Sequence, residues 1–213
     1  MSIEDLIEGY RRFRKTRFPG AQTLYRELGD RGQSPRVMFI ACCDSRVDPA
    51  TIFDTGPGEL FVLRNVANLV PPNSPMAKHQ AMGAALEFAV LHLNVEHIVV
   101  MGHAQCGGAK ALLEGVHEQI QNAEFIGSWM NMAIPARNRM LLQPHSPEES
   151  LRLLEYSIVQ LSLENLLTYD WIRERFESGR IELHGFHFGI ATGELAWLDM
   201  ATGRFEAVPF STD

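Results

Sequence analysis

The three cysteines of this 213-residue chain fall in two short motifs, Ala41-Cys42-Cys43-Asp44-Ser45-Arg46 and His103-Ala104-Gln105-Cys106-Gly107-Gly108. Thiolate sulfur and imidazole nitrogen are preferred ligands of Zn²⁺, and three protein ligands with water in the fourth place mark a catalytic zinc site. Cys42 and Cys43 are neighbours, and neighbours at a strand end point to opposite faces. Only one of them can readily share a metal with His103 and Cys106, which leaves two thiolates and one imidazole around an open position. Their charge matches that of the ion. A bound water can then ionise to hydroxide, though less readily than beside three imidazoles.

Asp44 lies two residues beyond Cys42, and Arg46 two beyond Asp44. A fork-to-carboxylate pair would hold Asp44 away from the metal. Each feature alone has a plainer reading. A free Cys is often a small buried hydrophobe, and Asp44-Ser45-Arg46 could be a loop with an ordinary ion pair. His-x-x-Cys after one strand together with Cys-x-Asp-Ser-Arg after another outweighs both. A redox dithiol would call for Cys-x-x-Cys spacing, which is absent. Gly107-Gly108 can open a helix, where free N–H groups favour an anion. The other histidines, His97, His184 and His187 among them, show no ligand-like spacing and receive no role.

The motifs need strands to carry them. Val37–Ala41 is an apolar run stopping at the first motif, Leu60–Leu63 follows the turn signal Thr55-Gly-Pro-Gly58, and His97–Met101 stops at the second motif. Met76–Leu93 between the last two reads as a helix. This alternation predicts an α/β fold, a single domain with a mainly parallel central sheet, flanking helices and ligand sites at a topological switch point. Helical patterns follow over Ala109–Leu113, Glu124–Met140 and Pro147–Phe176, the last one long and opened by Ser146-Pro-Glu-Glu149. Ile181–Ile190 and Leu195–Leu198 suit a β-hairpin. Ile3, Leu6, Ile7, Tyr10 and Phe13 recur on one helical face of an amino-terminal arm.

Composition narrows the function. A net charge of -7 with 19 Lys+Arg argues against nucleic acid and for a protein handling small molecules. The amino terminus, Met1 to Phe18, contains no apolar run long enough for a signal or membrane segment. Three cysteines, two of them adjacent, suit a reducing compartment, and a cytoplasmic location is expected.

Four segments resemble the β-class carbonic anhydrases, and the likeness runs along nearly the whole chain. They are Gly32–Pro35, Ala41–Val47, Pro57–Asn68 and Gly102–Gly108. The resemblance implies zinc bound by Cys42, His103 and Cys106, an Asp44–Arg46 dyad, and hydration of carbon dioxide to bicarbonate and a proton. Cys43 falls at a variable position. In the plant-type branch a glutamine before the first strand binds substrate, and aromatic and apolar residues of the partner subunit close the pocket. Gln33 matches that glutamine, Phe61 and Val66 match pocket positions, and Phe88 stands where many members carry tyrosine. Gly107 joins them as a substrate-side residue. A homodimer or an assembly of dimers is implied, with residues 1–30 packing on the partner.

One branch of the family binds bicarbonate at a regulatory pocket built from tryptophan, arginine and tyrosine. Here Arg64 is kept, but Phe39 and Phe188 fall at the other two positions, which implies an open-site enzyme. A carbonyl sulfide or carbon disulfide hydrolase would share the zinc ligands. A non-catalytic zinc module is disfavoured by the dyad and Gln33.

Overall fold

The computed structural model describes residues 1–74, 81–116, 124–142 and 144–210. Its centre is a six-stranded sheet ordered β2-β1-β3-β4-β5-β6, from β1 (Val37–Cys42), β2 (Leu60–Asn65), β3 (His97–His103), β4 (Glu182–Phe188), β5 (Leu195–Asp199) and β6 (Arg204–Ala207). The first four strands are parallel and the last two antiparallel. From β1 the chain crosses to β2 on one side and returns to β3 on the other, so the order reverses between β1 and β3. Crevices beyond the carboxyl ends of strands at such a reversal are where open α/β sheets bind ligands. Cys42 ends β1 and His103 ends β3.

The strands are apolar because both faces are covered. Met38, Ile40, Ile98, Val100 and Leu183 face one core layer, and Phe39, Ala41, Val99 and Met101 the other. Helix α8 (Pro147–Leu166) begins with a capping box in which Ser146 and Glu149 satisfy each other's backbone N–H groups. It presses on β3 and β4 at two glycines. A Cβ on Gly102 would lie 2.8 Å from Val159 Cγ2, and one on Gly185 would lie 3.0 Å from Val159 Cγ1.

The amino-terminal arm is two helices, α1 (Ile3–Thr16) and α2 (Phe18–Arg31), divided at Arg17. Phe13, Phe18 and Tyr25 hold them together with ring centroids 5.5–6.1 Å apart. Neither helix has a buried residue.

Several expected elements are divided. The long helix breaks into α8 and α9 (Asp170–Glu177), because Tyr169 takes an extended conformation and its hydroxyl donates to Pro71 O at 3.1 Å. The Glu124–Met140 pattern splits into α6 (Ile126–Asn131) and α7 (Ile134–Leu141), since Pro135 has no N–H with which to continue a helix. Met76–Leu93 is described from α4 (Ala81–Glu87) through a π-turn at Phe88–His92, and residues 76–80 lie outside the described residues. The hairpin forms as expected, but β6 adds a strand too short and polar to stand out in the sequence. A short helix α3 (Pro49–Ile52) and α5 (Gly107–Leu113) complete the elements near the motifs.

The contact at Gly102 yields a test. Gly102→Ala should destabilise the fold by about 1–3 kcal/mol through overpacking against Val159. Urea unfolding at fixed protein concentration should show a smaller loss in the Gly102→Ala/Val159→Ala pair than the single changes sum to.

Candidate metal centre

The strand ends and the start of α5 bring Cys42, His103 and Cys106 together, all buried, with their ligand atoms within 4.8 Å of one another. Cys43, by contrast, is exposed and donates its backbone N–H to Asn65 O at 2.8 Å. Adjacent positions at the end of β1 thus separate the two cysteines as the pleat requires.

His103 shows that a metal fits. Its Nδ1 lies 2.9 Å from Ala104 O, so that nitrogen carries the proton, and its buried Nε2 has no hydrogen-bond partner. An imidazole lone pair left alone in the interior beside two sulfurs is what a zinc ligand offers. The sulfurs are prepared for negative charge. Cys42 accepts backbone hydrogen bonds from Asp44 and Ala67, and Cys106 from Gly108 and Ala109. Cys106 donates to Cys42, which holds the Cys42 thiol well below its usual range and pushes Cys106 up. Burial pulls His103 down, but the Cys42 sulfur beside the ring and the Ala104 carbonyl at Nδ1 outweigh it, and the net shift is upward.

Asp44 and Arg46 form a fork. Arg46 Nε donates to Oδ1 at 2.9 Å and a terminal nitrogen to Oδ2 at 2.6 Å, while the same nitrogen reaches Gln105 O at 3.2 Å. Asp44 Oδ2 comes within 3.9 Å of His103 Nε2. The Arg46 hydrogen bonds hold the Asp44 carboxyl well below the usual carboxylate range, against a smaller upward push from burial. Stability drawn from this pair is therefore present above about pH 4 and is lost as pH falls below that. Arg46 is half exposed, and solvent screens the pair.

Two further residues, Arg64 of the Pro57–Asn68 segment and Glu155, which lies in no motif, complete the surroundings. Arg64 donates to Cys42 O at 2.8 Å, to Asp44 O at 2.5 Å and to Asp48 Oδ1 at 3.4 Å, which braces the loop behind the dyad. Glu155 of α8, only 3% exposed, accepts the Cys106 N–H at 3.0 Å with one oxygen and meets His187 Nε2 at 2.9 Å with the other. The chain around residue 155 reads as an ordinary amphipathic helix. Its link to Cys106 spans 49 positions, and nothing local signals it.

The remaining expected residues divide by position. Val66 packs beside the cluster, because a Cβ on Gly108 would lie 3.0 Å from Val66 Cγ1, and Trp129 Nε1 donates to Val66 O at 2.8 Å. Gly107 opens α5 with free space where a Cβ would be. Phe61 and Phe88 pack on each other with centroids 5.9 Å apart. Phe61 pairs with Met38, four residues before Cys42, so it lies about 13 Å along the strand from the cluster. Gln33 is exposed and precedes β1, with the strand between it and Cys42. One protomer brings none of these three to the cluster.

Fold and site together define an α/β protein with a buried Cys-His-Cys group able to hold a metal ion where the sheet reverses its order. The model of the family described as carbonic anhydrase matches residues 37–195. The Synechococcus elongatus carbonic anhydrase is 38% identical over 196 residues, covering 91% of this chain and 70% of the relative. Beta carbonic anhydrase 3 of Arabidopsis thaliana is 36% identical over 207 residues, covering 94% and 79%. Among solved structures, the β-carbonic anhydrase CcaA superposes with a TM-score of 0.89 at 33% identity, covering 99% of this chain and 93% of that one. The chain belongs to the β-carbonic anhydrase family, and with it to the lyases called carbonate dehydratases.

The Glu155 contact gives the second test. Glu155→Ala strands a buried N–H and a buried imidazole, and it should cost about 3 kcal/mol. Glu155→Gln keeps one acceptor and should lose less, as unfolding midpoints of the two variants would show.

Proposed function

We propose that this chain catalyses the reversible hydration of carbon dioxide to bicarbonate and a proton, with one Zn²⁺ held by Cys42, His103 and Cys106. The observation that carries the proposal is the buried, unpartnered His103 Nε2 facing two thiols. When bound, the ion supplies a Lewis acid that acidifies water to a nucleophile near neutral pH. The rest falls to the protein. Arg46 occupies both Asp44 oxygens and keeps the carboxylate off the ligand cluster, while Asp44 remains close enough to accept a hydrogen bond from the nucleophile and orient it. Gly107 leaves open space next to Cys106 for a small substrate, and Val66 supplies an apolar wall beside it.

Gln33, Phe61 and Phe88 serve the site across a homodimer, each protomer completing the pocket of the other. This reading is supported by the arm of residues 1–30, whose Ile3, Leu6, Ile7 and Tyr10 are exposed in a single protomer. Such an apolar face suits packing on a second copy. Dimers can assemble further, and the structural relatives include two described as tetrameric from Sordaria macrospora. A cytoplasmic setting fits three thiols, none in a disulfide. Among the described residues no helix is long and apolar enough to cross a membrane.

The site works in the open form of the plant-type branch. Arg64 is committed to Cys42 O, Asp44 O and Asp48, and Phe39 packs on Phe53, which in turn packs on Phe186. No tryptophan or tyrosine donor stands at the two positions a regulatory bicarbonate would need.

Three measurements test this reading. After removal of loosely held metal, wild type and Cys43→Ser should each retain one zinc per chain and hydrate carbon dioxide, whereas Cys42→Ser and Cys106→Ser should lose both. Equal loss in Cys43→Ser would overturn the ligand set, and faster turnover of carbon disulfide than of carbon dioxide would overturn the substrate. Arg46→Ala should keep its zinc and lose at least about tenfold in kcat/KM, the range for an orienting group behind a metal ligand. The wild-type pH–rate profile should follow a single titration that added bicarbonate does not steepen.

A further inference from the structure

We propose that His97, Glu182 and His184 form a second site for a divalent transition-metal ion, at the end of the sheet away from Cys42. His97 opens β3 and pairs in register with Glu182, the first residue of β4, and His184 lies two residues further along β4 on the same face. His97 and His103 are the two ends of one strand, so the sites are about 20 Å apart.

The distances match a metal. His97 Nδ1 is 3.2 Å from His184 Nε2, and Glu182 Oε2 is 3.6 Å from each of these nitrogens. Two imidazoles bound to tetrahedral zinc at 2.0–2.1 Å place their nitrogens about 3.3 Å apart, with a carboxylate oxygen about 3.4 Å from each. The trio already has the edges of one tetrahedral face, and the Glu182 side chain, 66% exposed, stands on its solvent side. Two imidazoles and one carboxylate select zinc, cobalt or nickel over calcium and magnesium, which require a shell of oxygens.

The backbone under the trio is pinned. His97 donates its N–H to Arg36 O at 3.1 Å, and Glu182 donates to Glu96 O at 2.9 Å. Arg36 is paired with Glu96, which gives that guanidinium a carboxylate other than Glu182. A cleft of about 660 Å³ beside the trio carries Glu182, His184, Glu206 and Trp197 in its wall, and its carboxylates attract a cation. His184 lines that cleft, and side-chain exposures of 32% for His97 and 18% for His184 leave neither ring sealed from solvent. Burial first, and then the neighbouring imidazole, pull His184 below the usual histidine range, which favours the neutral ring a metal needs. Binding requires each ring to carry its proton on the nitrogen facing away. For neutral rings that is a change of tautomer at one histidine, with no proton lost.

The test is a titration of the zinc-loaded protein, freed of loosely held metal, with Co²⁺. One cobalt per chain should be taken up, giving visible d–d absorption without a sulfur-to-cobalt charge-transfer band, and thermal unfolding should shift upward as Co²⁺ is raised. Glu182→Gln and His184→Ala should each weaken this uptake about tenfold or more while leaving carbon dioxide hydration unchanged. Cys42→Ser should retain it, which separates this site from the thiolate centre. No uptake, a charge-transfer band, or equal uptake in both variants would reduce the trio to two hydrogen-bonded imidazoles beside a carboxylate.

Discussion

Holding two sulfurs and an imidazole against one another in the interior sets the terms for everything around them. Thiolates out of water are costly, and two within 4.8 Å repel. The protein offsets this locally with backbone N–H groups of Asp44, Ala67, Gly108 and Ala109 aimed at the sulfurs. Aiming them requires unusual backbone. Ala67 has φ 62° and Gln105 φ 59°, left-handed conformations that favour glycine, in the turns flanking the cluster. Strain of this kind persists where surrounding structure over-determines it. Asn65 supplies part of that structure, since its amide clamps Leu69 through both backbone groups across the Ala67 turn.

Charge is sorted in layers outward from the cluster. Asp44 is the nearest anion, and the Arg46 fork fixes both of its oxygens. Arg64 stands behind it and fixes the carbonyls of Cys42 and Asp44, so the backbone holding ligand and dyad moves as one piece. On the other side Glu155 ties Cys106 to α8, and the depth of that helix is set by glycines at 102 and 185. A methyl group at Gly102 would therefore be felt at Cys106 through Val159 and Glu155. Helix packing and the geometry of the Cys-His-Cys group are linked through these contacts.

β3 carries histidine at both ends, and the two surroundings differ in kind. His103 is buried beside sulfur at the carboxyl end, where the sheet reverses its order and α5 begins. His97 is half-buried beside a carboxylate and a second imidazole at the amino end, where the chain enters from Arg36 and Glu96. Strand length keeps them apart, so one ladder can hold a sulfur-rich and an oxygen-and-nitrogen group without mixing their ligands.

The sequence by itself determined the parts whose signal is local. Apolar runs stopping at Cys42 and His103 marked two parallel strands, the pleat allowed only one of Cys42 and Cys43 inward, and the i, i+2 spacing of Asp44 and Arg46 foretold their fork. Tertiary structure decided what depends on distant residues meeting. Glu155 meets Cys106 across 49 positions, and His97 meets His184 across 87, because α8 and β4 return to β3 only when the sheet closes. It also divided the Pro147–Phe176 pattern, since an apolar period continues through Tyr169 while the hydroxyl of that residue bonds to Pro71. Local periodicity records which face of an element is buried. Which partner it is buried against is settled by the crossover connections, and no window of neighbouring residues contains them.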